Sequence, residues 1–289
     1  MKYNFLFLFV LLLNMNCSKK SDKVIDNPQL GHILIEADPS FKSVVSALQE
    51  SYMNLNPKTT IDFVTKKEDL CFLDLLKNKA RVVVMSRELS KEERAAYDSQ
   101  VGLKWEPAKF AGDAVIFVVP KSSSRTSISY QEIRKELDSE DKNIVFDGTN
   151  SSNLNFVAQK FSKKPADLKF SIISGTTNLV HQLEKYPDKI GAISLNAISR
   201  PYGSDAEKLR ALIKVLPVVK DGKSYNPSLN NIKDMEYPFT RILYFLTNEP
   251  YYGLGNGFIR FSCTQLGQLV VEKEGLQPYN TYKREVQMR

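Results

Sequence analysis

Cysteine and histidine are scarce in this chain of 289 residues, which has three cysteines and two histidines. They do not occur at the spacing of a zinc site, and neither histidine lies near a convincing nucleophile. A Gly-x-Ser-x-Gly motif and the glycine-rich phosphate loops of nucleotide-binding enzymes are also absent. Because the usual signatures of hydrolases, nucleotide-dependent enzymes and metalloenzymes are missing, we predict a protein that is not an enzyme and needs neither a cofactor nor a metal.

Basic clusters are also lacking, although the formal net charge is +7. The positive residues are spread along the chain, so we expect no nucleic-acid partner. Charged residues make up 25% of the chain and apolar residues 42%, which is typical of a globular protein with a substantial core.

The one strongly apolar segment near the N-terminus is short. It runs from Phe5 to Leu13 after Lys2, which predicts a signal peptide over residues 1–16. Cys17 follows in a context similar to the lipobox of bacterial lipoproteins, although Asn14-Met15-Asn16 departs from its usual small residues. We therefore predict a lipid on Cys17, a tether over residues 17–30 and a protein anchored to a bacterial membrane, facing the periplasm. The alternative is an ordinary signal peptide that is cleaved nearby.

Short apolar runs alternate with amphipathic segments along the rest of the chain, which predicts an α/β fold. The predicted elements include strands over residues 32–37 and 114–119 and a helix over residues 257–273. Two apolar runs, near residues 114–119 and 212–219, are candidates for crossings between two lobes. The predicted division assigns residues 31–117 and 215–289 to lobe I and residues 118–214 to lobe II, with a ligand cleft between them.

Three turns that each join a strand to a helix carry hydroxyl or amide side chains. They are Asp38–Phe41, Met85–Arg87 and Asp147–Ser152. The start of a helix has unpaired backbone N–H groups and a partial positive charge, and serine side chains add further donors. If the three turns meet, they form a site for a small oxyanion such as phosphate, without a lysine or a metal.

Each of these residues also has a purely structural interpretation. Ser40, Ser86 and the serines at 151 and 152 are good helix caps in any protein. Arg87 has Glu92 and Glu93 nearby, with which it can form a solvated ion pair.

Other polar residues are interpreted as structural. Arg241 is predicted to be a charge at a strand edge, Asp113 a hinge or structural residue, and Thr176 and Thr177 caps of their helix. Cys71 and Cys263 lie in apolar helical patterns and are expected to be buried thiols, with a disulfide also allowed.

Several segments resemble the phosphate-binding periplasmic receptors of ABC transporters, the PstS-like family, over residues 31–280. Tyr237–Tyr244 is similar to the Tyr-Pro-Leu-Ser-Arg-Pro-Leu-Tyr segment of that family, and Lys189–Ser194 to its Ala-Ile-Gly-Tyr-x-Ser strand. Phe258–Phe261 and Gly275–Pro278 are similar to its closing helix and Gly-Tyr-x-Pro end. The resemblance implies a type-II periplasmic binding protein fold with two lobes.

The resemblance also implies a binding pocket, although one residue of the family pattern is missing. The third turn stands in place of the Arg-x-Asp-x-Ser-Gly-Thr loop, where Val145-Phe146 replaces the arginine and Asp147 is a candidate to accept a proton from phosphate. The ligand-binding residues implied by the three turns are Ser40, Phe41, Ser86, Arg87, Asp147, Asn150, Ser151 and Ser152.

The function implied is capture of inorganic phosphate or a related oxyanion, for delivery to the permease of an ABC transporter. We expect the receptor to be a monomer. The missing arginine favours an alternative: an envelope lipoprotein that keeps the receptor fold but acts as an interaction or sensing subunit.

Overall fold

The computed structural model describes residues 26–281. The predicted signal peptide, Cys17 and most of the predicted tether lie outside the described residues, as do residues 282–289. Among residues 26–281, no helix has both the length and the hydrophobicity needed to cross a membrane.

Strands and helices alternate through most of the described chain. The strands are β1 (Gly31–Ala37), β2 (Thr59–Thr65), β3 (Val82–Met85), β4 (Ala108–Pro120), β5 (Ile128–Ser129), β6 (Ile144–Phe146), β7 (Ser171–Ile172), β8 (Ile190–Ser194), β9 (Ile213–Leu216), β10 (Val218–Lys220), β11 (Lys223–Tyr225), β12 (Thr240–Thr247) and β13 (Gln277–Pro278). The α-helices are α1 (Lys42–Leu55), α2 (Glu68–Leu76), α3 (Lys91–Val101), α4 (Tyr130–Glu136), α5 (Ser152–Lys160), α6 (Thr176–Gln182), α7 (Asn196–Ser199), α8 (Ser204–Leu212), α9 (Leu229–Lys233), α10 (Leu254–Cys263) and α11 (Gln265–Lys273). Three 3₁₀ turns span Pro39–Phe41, Pro165–Asp167 and Leu183–Lys185.

Lobe I is built on β2, β1, β3, β12 and the first half of β4, in that order across the sheet. The first three strands are parallel, and β12 is antiparallel to both β3 and β4. All four residues of β3 are buried because helices cover both faces of the sheet. Val82 and Val84 pack into the core on one face, and Val83 and Met85 into the core on the other.

Lobe II continues the same sheet from the second half of β4. This half pairs with β8 and β9, and β8 leads on to the parallel strands β6 and β7. A small sheet of β5, β10 and β11 lies in the same lobe. One buried cluster, from Ala114 to Phe239, forms its core.

Two neighbouring strands connect the lobes. The chain leaves lobe I inside β4 and returns at the start of β12, where Thr240 pairs with Ala114 and Arg241 with Asp113. The return differs from the expected crossing near residues 212–219. That segment forms β9 and β10, broken at Pro217, and both strands pair within lobe II. Residues 218–239 therefore belong to lobe II, since Ile232, Tyr237 and Phe239 pack into its core.

The expected helix near the C-terminus is also divided. A single helix over residues 257–273 was predicted, but α10 ends at Cys263 and α11 begins at Gln265.

Cys71 is fully buried, whereas Cys263 is only partly buried.

Candidate functional site

The carboxyl ends of β1, β3 and β6 point toward the junction of the lobes, and each is followed by one of the three predicted turns. A fourth turn, at the end of β2, brings the start of α2 to the same place. Strand ends and helix starts thus converge there from both lobes, as at the ligand crevices of other open α/β sheets.

The carboxylate of Asp38 lies at the centre of this junction. Its Oδ1 accepts a hydrogen bond from the amide of Ser40 at 3.0 Å, and its Oδ2 accepts from the amides of Glu68 at 3.2 Å and Ser152 at 3.1 Å. These amides lie at the first 3₁₀ turn, at the start of α2 and at the start of α5. The carboxylate is fully buried and occupies the position that helix starts offer to an anion.

Glu68 is a second buried carboxylate at the junction. Its Oε1 accepts from the backbone amide and the hydroxyl of Ser86, both at 2.7 Å, and its Oε2 accepts from Asn155 Nδ2 at 3.3 Å. Burial raises the pKa of Glu68, and the charge of Arg87 opposes that rise.

Asp147 lies at the end of β6, fully buried. It accepts from Asn153 Nδ2 at 3.3 Å and from Thr176 Oγ1 at 3.2 Å, and Lys67 Nζ lies 3.8 Å from its Oδ2. Burial raises the pKa of Asp147, and the charge of Asp38 adds to the rise.

Arg241 supplies the buried positive charge of the site. Its Nε and Nη2 contact Asp113 Oδ2 at 2.8 and 2.7 Å, and its Nη2 also donates to Asn153 Oδ1 at 2.9 Å. Asn153 in turn donates to Ser40 Oγ at 3.1 Å. Arg241 lies on β12 between two neighbouring strands rather than at a strand edge, so the predicted edge position is wrong.

The structure brings most of the predicted site residues together. The serines at 40, 86, 151 and 152 and Asp147 are all buried at the junction. The hydroxyl of Ser151 caps α5 through the amide of Leu154, and the buried hydroxyl of Ser152 has no hydrogen-bond partner among the described residues.

The remaining predicted residues have different positions. The ring of Phe41 packs 4.8 Å below the guanidinium of Arg241 and belongs to the core. The guanidinium of Arg87 binds Glu93 and Asp69 at 2.7 and 2.9 Å, and its Nε lies 3.4 Å from Glu68 Oε2. The ion pair with Glu93 is present, but the side chain is largely buried rather than solvated. Asn150 is exposed, with a left-handed backbone at φ 54°, and contributes no hydrogen bond to the cluster.

Sequence reasoning missed Glu68, Asn153 and Asn155, and it did not assign Asp38 a role of its own. A carboxylate that directly precedes a 3₁₀ turn is a cap signal, so the contact of Asp38 with Ser40 was recognisable. The contacts with Glu68 and Ser152 were not, because Ser152 is 114 positions away in the chain.

A cavity of about 440 Å³ opens beside the cluster, between the two lobes. Ser40 and Thr176 line it where it meets the site, and its wall carries the cations of Lys42 and Arg200 together with the carboxylates of Glu50 and Asp205. The side-chain amide of Asn196 reaches it, and its Nδ2 has no hydrogen-bond partner among the described residues. Within the described part of the chain, no group of three or more histidine, cysteine, aspartate or glutamate side chains is arranged to hold a metal ion.

Residues 23–265 match the family described as a PBP superfamily domain. The chain belongs to the PBP superfamily. Among curated proteins, this PBP superfamily member is similar to a phosphate-binding protein PstS of Borreliella burgdorferi, with 21% identity over 95% of this chain and 98% of the relative.

Solved structures agree with this assignment of the fold. A putative phosphate ABC transporter substrate-binding protein with bound phosphate, from Clostridium perfringens, has a TM-score of 0.69 and 19% identity over 86% of this chain and 99% of its own. An ABC-type phosphate transport receptor from Vibrio cholerae has a TM-score of 0.64 and 15% identity over 86% of this chain and 100% of its own. The predicted two-lobed fold of periplasmic binding proteins is thereby confirmed.

Proposed function

We propose that this PBP superfamily member is a substrate-binding protein that captures inorganic phosphate or a related oxyanion between its lobes and delivers it to an ABC transporter permease. The observation that carries the proposal is the convergence of helix-start amides and buried serines from both lobes on one point. The names of the similar proteins from Borreliella burgdorferi, Clostridium perfringens and Vibrio cholerae support phosphate as the ligand.

The donors that an oxyanion can take over are the amides of Ser40, Ser86 and Ser152 and the guanidinium of Arg241, which bind Asp38, Glu68 and Asp113 in this structure. The hydroxyl of Ser152 is a further donor, with no partner among the described residues. Each charge-assisted hydrogen bond contributes about 1.5–3 kcal/mol, and closure of the lobes removes the water that would weaken it. Arg241 supplies a positive charge from β12 at the site where the predicted loop lacks its arginine.

Calorimetric titration of residues 18–289 with phosphate, with sulfate and arsenate as competitors, tests the proposal. We expect saturable heat with phosphate at up to about millimolar concentration, which corresponds to about −4 kcal/mol or better. Absence of both heat and a thermal shift at that concentration would contradict the proposal.

The position of the site is tested by the double variant Ser151→Ala, Ser152→Ala. We expect at least a roughly tenfold weaker affinity for phosphate, about 1.4 kcal/mol. Ser228→Ala is the matched control, because Ser228 caps α9 through the amide of Asn231 in the same way, in lobe II but away from the cluster. An unchanged affinity in the double variant would mean that the pocket lies elsewhere.

Anchoring through a lipid on Cys17 is part of the same proposal, as is a monomer that faces the periplasm. Cys17→Ser is expected to release the protein from the membrane fraction. Retention of that variant in the membrane would contradict the lipid anchor.

One observation favours a second candidate, an envelope protein that uses the receptor fold for interaction or sensing. The carboxylate of Asp38 already accepts from the helix-start amides of Glu68 and Ser152, and the carboxylate of Glu68 accepts from the amide of Ser86. This candidate predicts that no oxyanion binds even though the fold is intact.

A further inference from the structure

The hydrogen bonds of Asp38 join the two lobes. Asp38 follows β1 in lobe I, whereas Ser152 begins α5 in lobe II. Further contacts of α5 with lobe I extend this link: for example, Asn155 Nδ2 donates to Asp69 Oδ1 at 2.8 Å, and Gln159 Nε2 donates to the carbonyl of Glu88 at 2.9 Å. Residues of lobe I thus hold α5 of lobe II through several hydrogen bonds.

The three amides that bind Asp38 are donors that an oxyanion in this crevice needs. A carboxylate and a phosphate oxygen accept hydrogen bonds from a helix start in the same geometry, so the two compete for one position. The carboxylates of Glu68, Asp113 and Asp147 are also buried at the junction, so that with Asp38 four carboxylates face the three cations of Arg241, Lys67 and Arg87. A phosphate that entered beside Asp38, rather than in its place, would meet this negative charge with few donors, such as the Ser152 hydroxyl and Asn196 Nδ2, still unpartnered among the described residues.

We infer that Asp38 is an internal substitute for the ligand: its carboxylate fills the anion position, holds the lobes closed through Ser152, and leaves when an oxyanion binds. Asp38 is thereby a residue that sets the affinity of the site. The inference rests on the proposed function for the identity of the oxyanion, but closure by Asp38 is a property of the chain alone.

Asp38→Asn tests the competition directly. Asparagine caps a helix start as well as aspartate does, so Oδ1 keeps its contact with Ser40. The amide group that replaces Oδ2 cannot accept from Glu68 or Ser152, and it can donate to an oxyanion. We expect phosphate to bind at least about tenfold more tightly in calorimetry. The control is Asp188→Asn, which removes the same charge from an exposed position in lobe II and should leave the affinity unchanged.

Ser152→Pro removes the hydrogen bond between Ser152 and Asp38 by a change in lobe II instead of lobe I. Ser152 is the first residue of α5, where proline is well tolerated, and the extended backbone of Ser151 suits a residue before proline. The variant removes the N–H group, and its ring takes the space of the Asp38 carboxylate. We expect it to open the lobes like Asp38→Asn but to weaken phosphate binding, because it also removes a donor.

Small-angle X-ray scattering without phosphate measures closure independently of binding. We expect a compact wild-type protein and a larger radius of gyration for both variants, with Asp188→Asn like the wild type. Equal radii for all four proteins, or phosphate affinity in Asp38→Asn that is equal to or lower than in the wild type, would overturn the inference. If no form binds phosphate, the proposed function fails, and the radii alone then decide whether Asp38 closes the lobes.

Discussion

Arg241 and Asp113 form a fully buried ion pair. They lie directly opposite each other on β12 and β4, the two strands that connect the lobes. Asp113 also accepts from Ser194 Oγ at 2.9 Å and from the amide of Asn196 at 3.1 Å, so this single carboxylate connects β12 of lobe I with the end of β8 in lobe II. Removal of the cation leaves a buried charge without its partner, which is costly in a protein interior.

We expect Arg241→Met to lower the free energy of unfolding by about 3–5 kcal/mol in urea denaturation. Methionine keeps much of the apolar volume, so the loss reports the ion pair rather than a cavity. Adding Asp113→Asn should recover part of the loss, because the unpaired charge disappears. A loss below about 1 kcal/mol in the single variant would contradict this account of the pair.

Asp147 provides a pH-dependent prediction, since burial and the nearby Asp38 raise its pKa. A carboxyl group with a raised pKa binds its proton more tightly in the folded state, so it favours folding at low pH. That contribution is present below the pKa of the unfolded chain and is lost as pH rises through the raised pKa. The side-chain amide in the Asp147→Asn variant does not ionise, so the stability of this variant does not fall with pH for this reason.

The stability of Asp147→Asn relative to the wild type should therefore increase as pH rises from about 4 through the raised pKa, by about 1.4 kcal/mol for each unit of pKa difference. Urea unfolding at several pH values measures this difference. Asp188→Asn serves as the exposed control, whose difference from the wild type should be nearly constant. A difference for Asp147→Asn that is constant or falls with pH would contradict the prediction.

Local patterns predicted the serines of the junction but not their partners. Ser40 and Ser151 are recognisable because each combines a strand end, a helix start and a hydroxyl within a few residues. Ser86 directly follows β3, but the cap of the next helix is Ser90, so the expected helix start at Ser86 is wrong. Asp38 and Arg241 bind residues that are more than 80 positions away. No local pattern specifies such contacts, so Arg241 was interpreted as a strand-edge charge.

At the scale of elements, the break between α10 and α11 depends on Gly267. A Cβ at this position would lie 2.3 Å from the carbonyl oxygen of Phe261, because the chain turns back on itself at Thr264. The apolar pattern runs through the break with helical spacing, so the sequence predicted one helix where a close backbone approach makes two.

Gly267→Ala distinguishes the two arrangements by the sign of its effect. In an uninterrupted helix, alanine would stabilise the protein by up to about 1 kcal/mol, whereas here we expect the clash to destabilise it by about 1–3 kcal/mol. Thermal or urea unfolding measures the change, and Leu266→Ala, at a largely exposed neighbour, is the control. A stabilised Gly267→Ala variant would show that the helix is continuous.

Most strands were predicted within one or two residues because their apolar runs are short and bounded by turn residues. For example, β1 was expected over residues 32–37 and spans Gly31–Ala37. The short strands β5, β11 and β13 were not predicted, and β9 and β10 were expected as one apolar run over residues 212–219. Of β4, only residues 114–119 were predicted. The first half of β4 contains Lys109, Gly112 and Asp113. Because these residues interrupt the apolar run, hydrophobicity alone does not predict that this half is a strand.

The described part of the molecule is built on one large sheet that is divided between two lobes, with a small three-stranded sheet in lobe II. The candidate site lies where the two crossing strands and the helix starts meet. The order of strands and helices predicted the α/β class, and the resemblance to a known family implied the lobes. The position of the second crossing was wrong, because the pairing of β9 with β4 inside lobe II is a non-local choice that an apolar run at residues 212–219 does not reveal.

A crystal structure of the protein with saturating phosphate tests the central claim most directly. We predict phosphate oxygens about 2.7–3.2 Å from the backbone nitrogens of Ser40 and Ser152, with the Asp38 side chain turned away from both. A phosphate bound elsewhere, or a junction in which Asp38 keeps its three amides at saturating phosphate, would contradict the account.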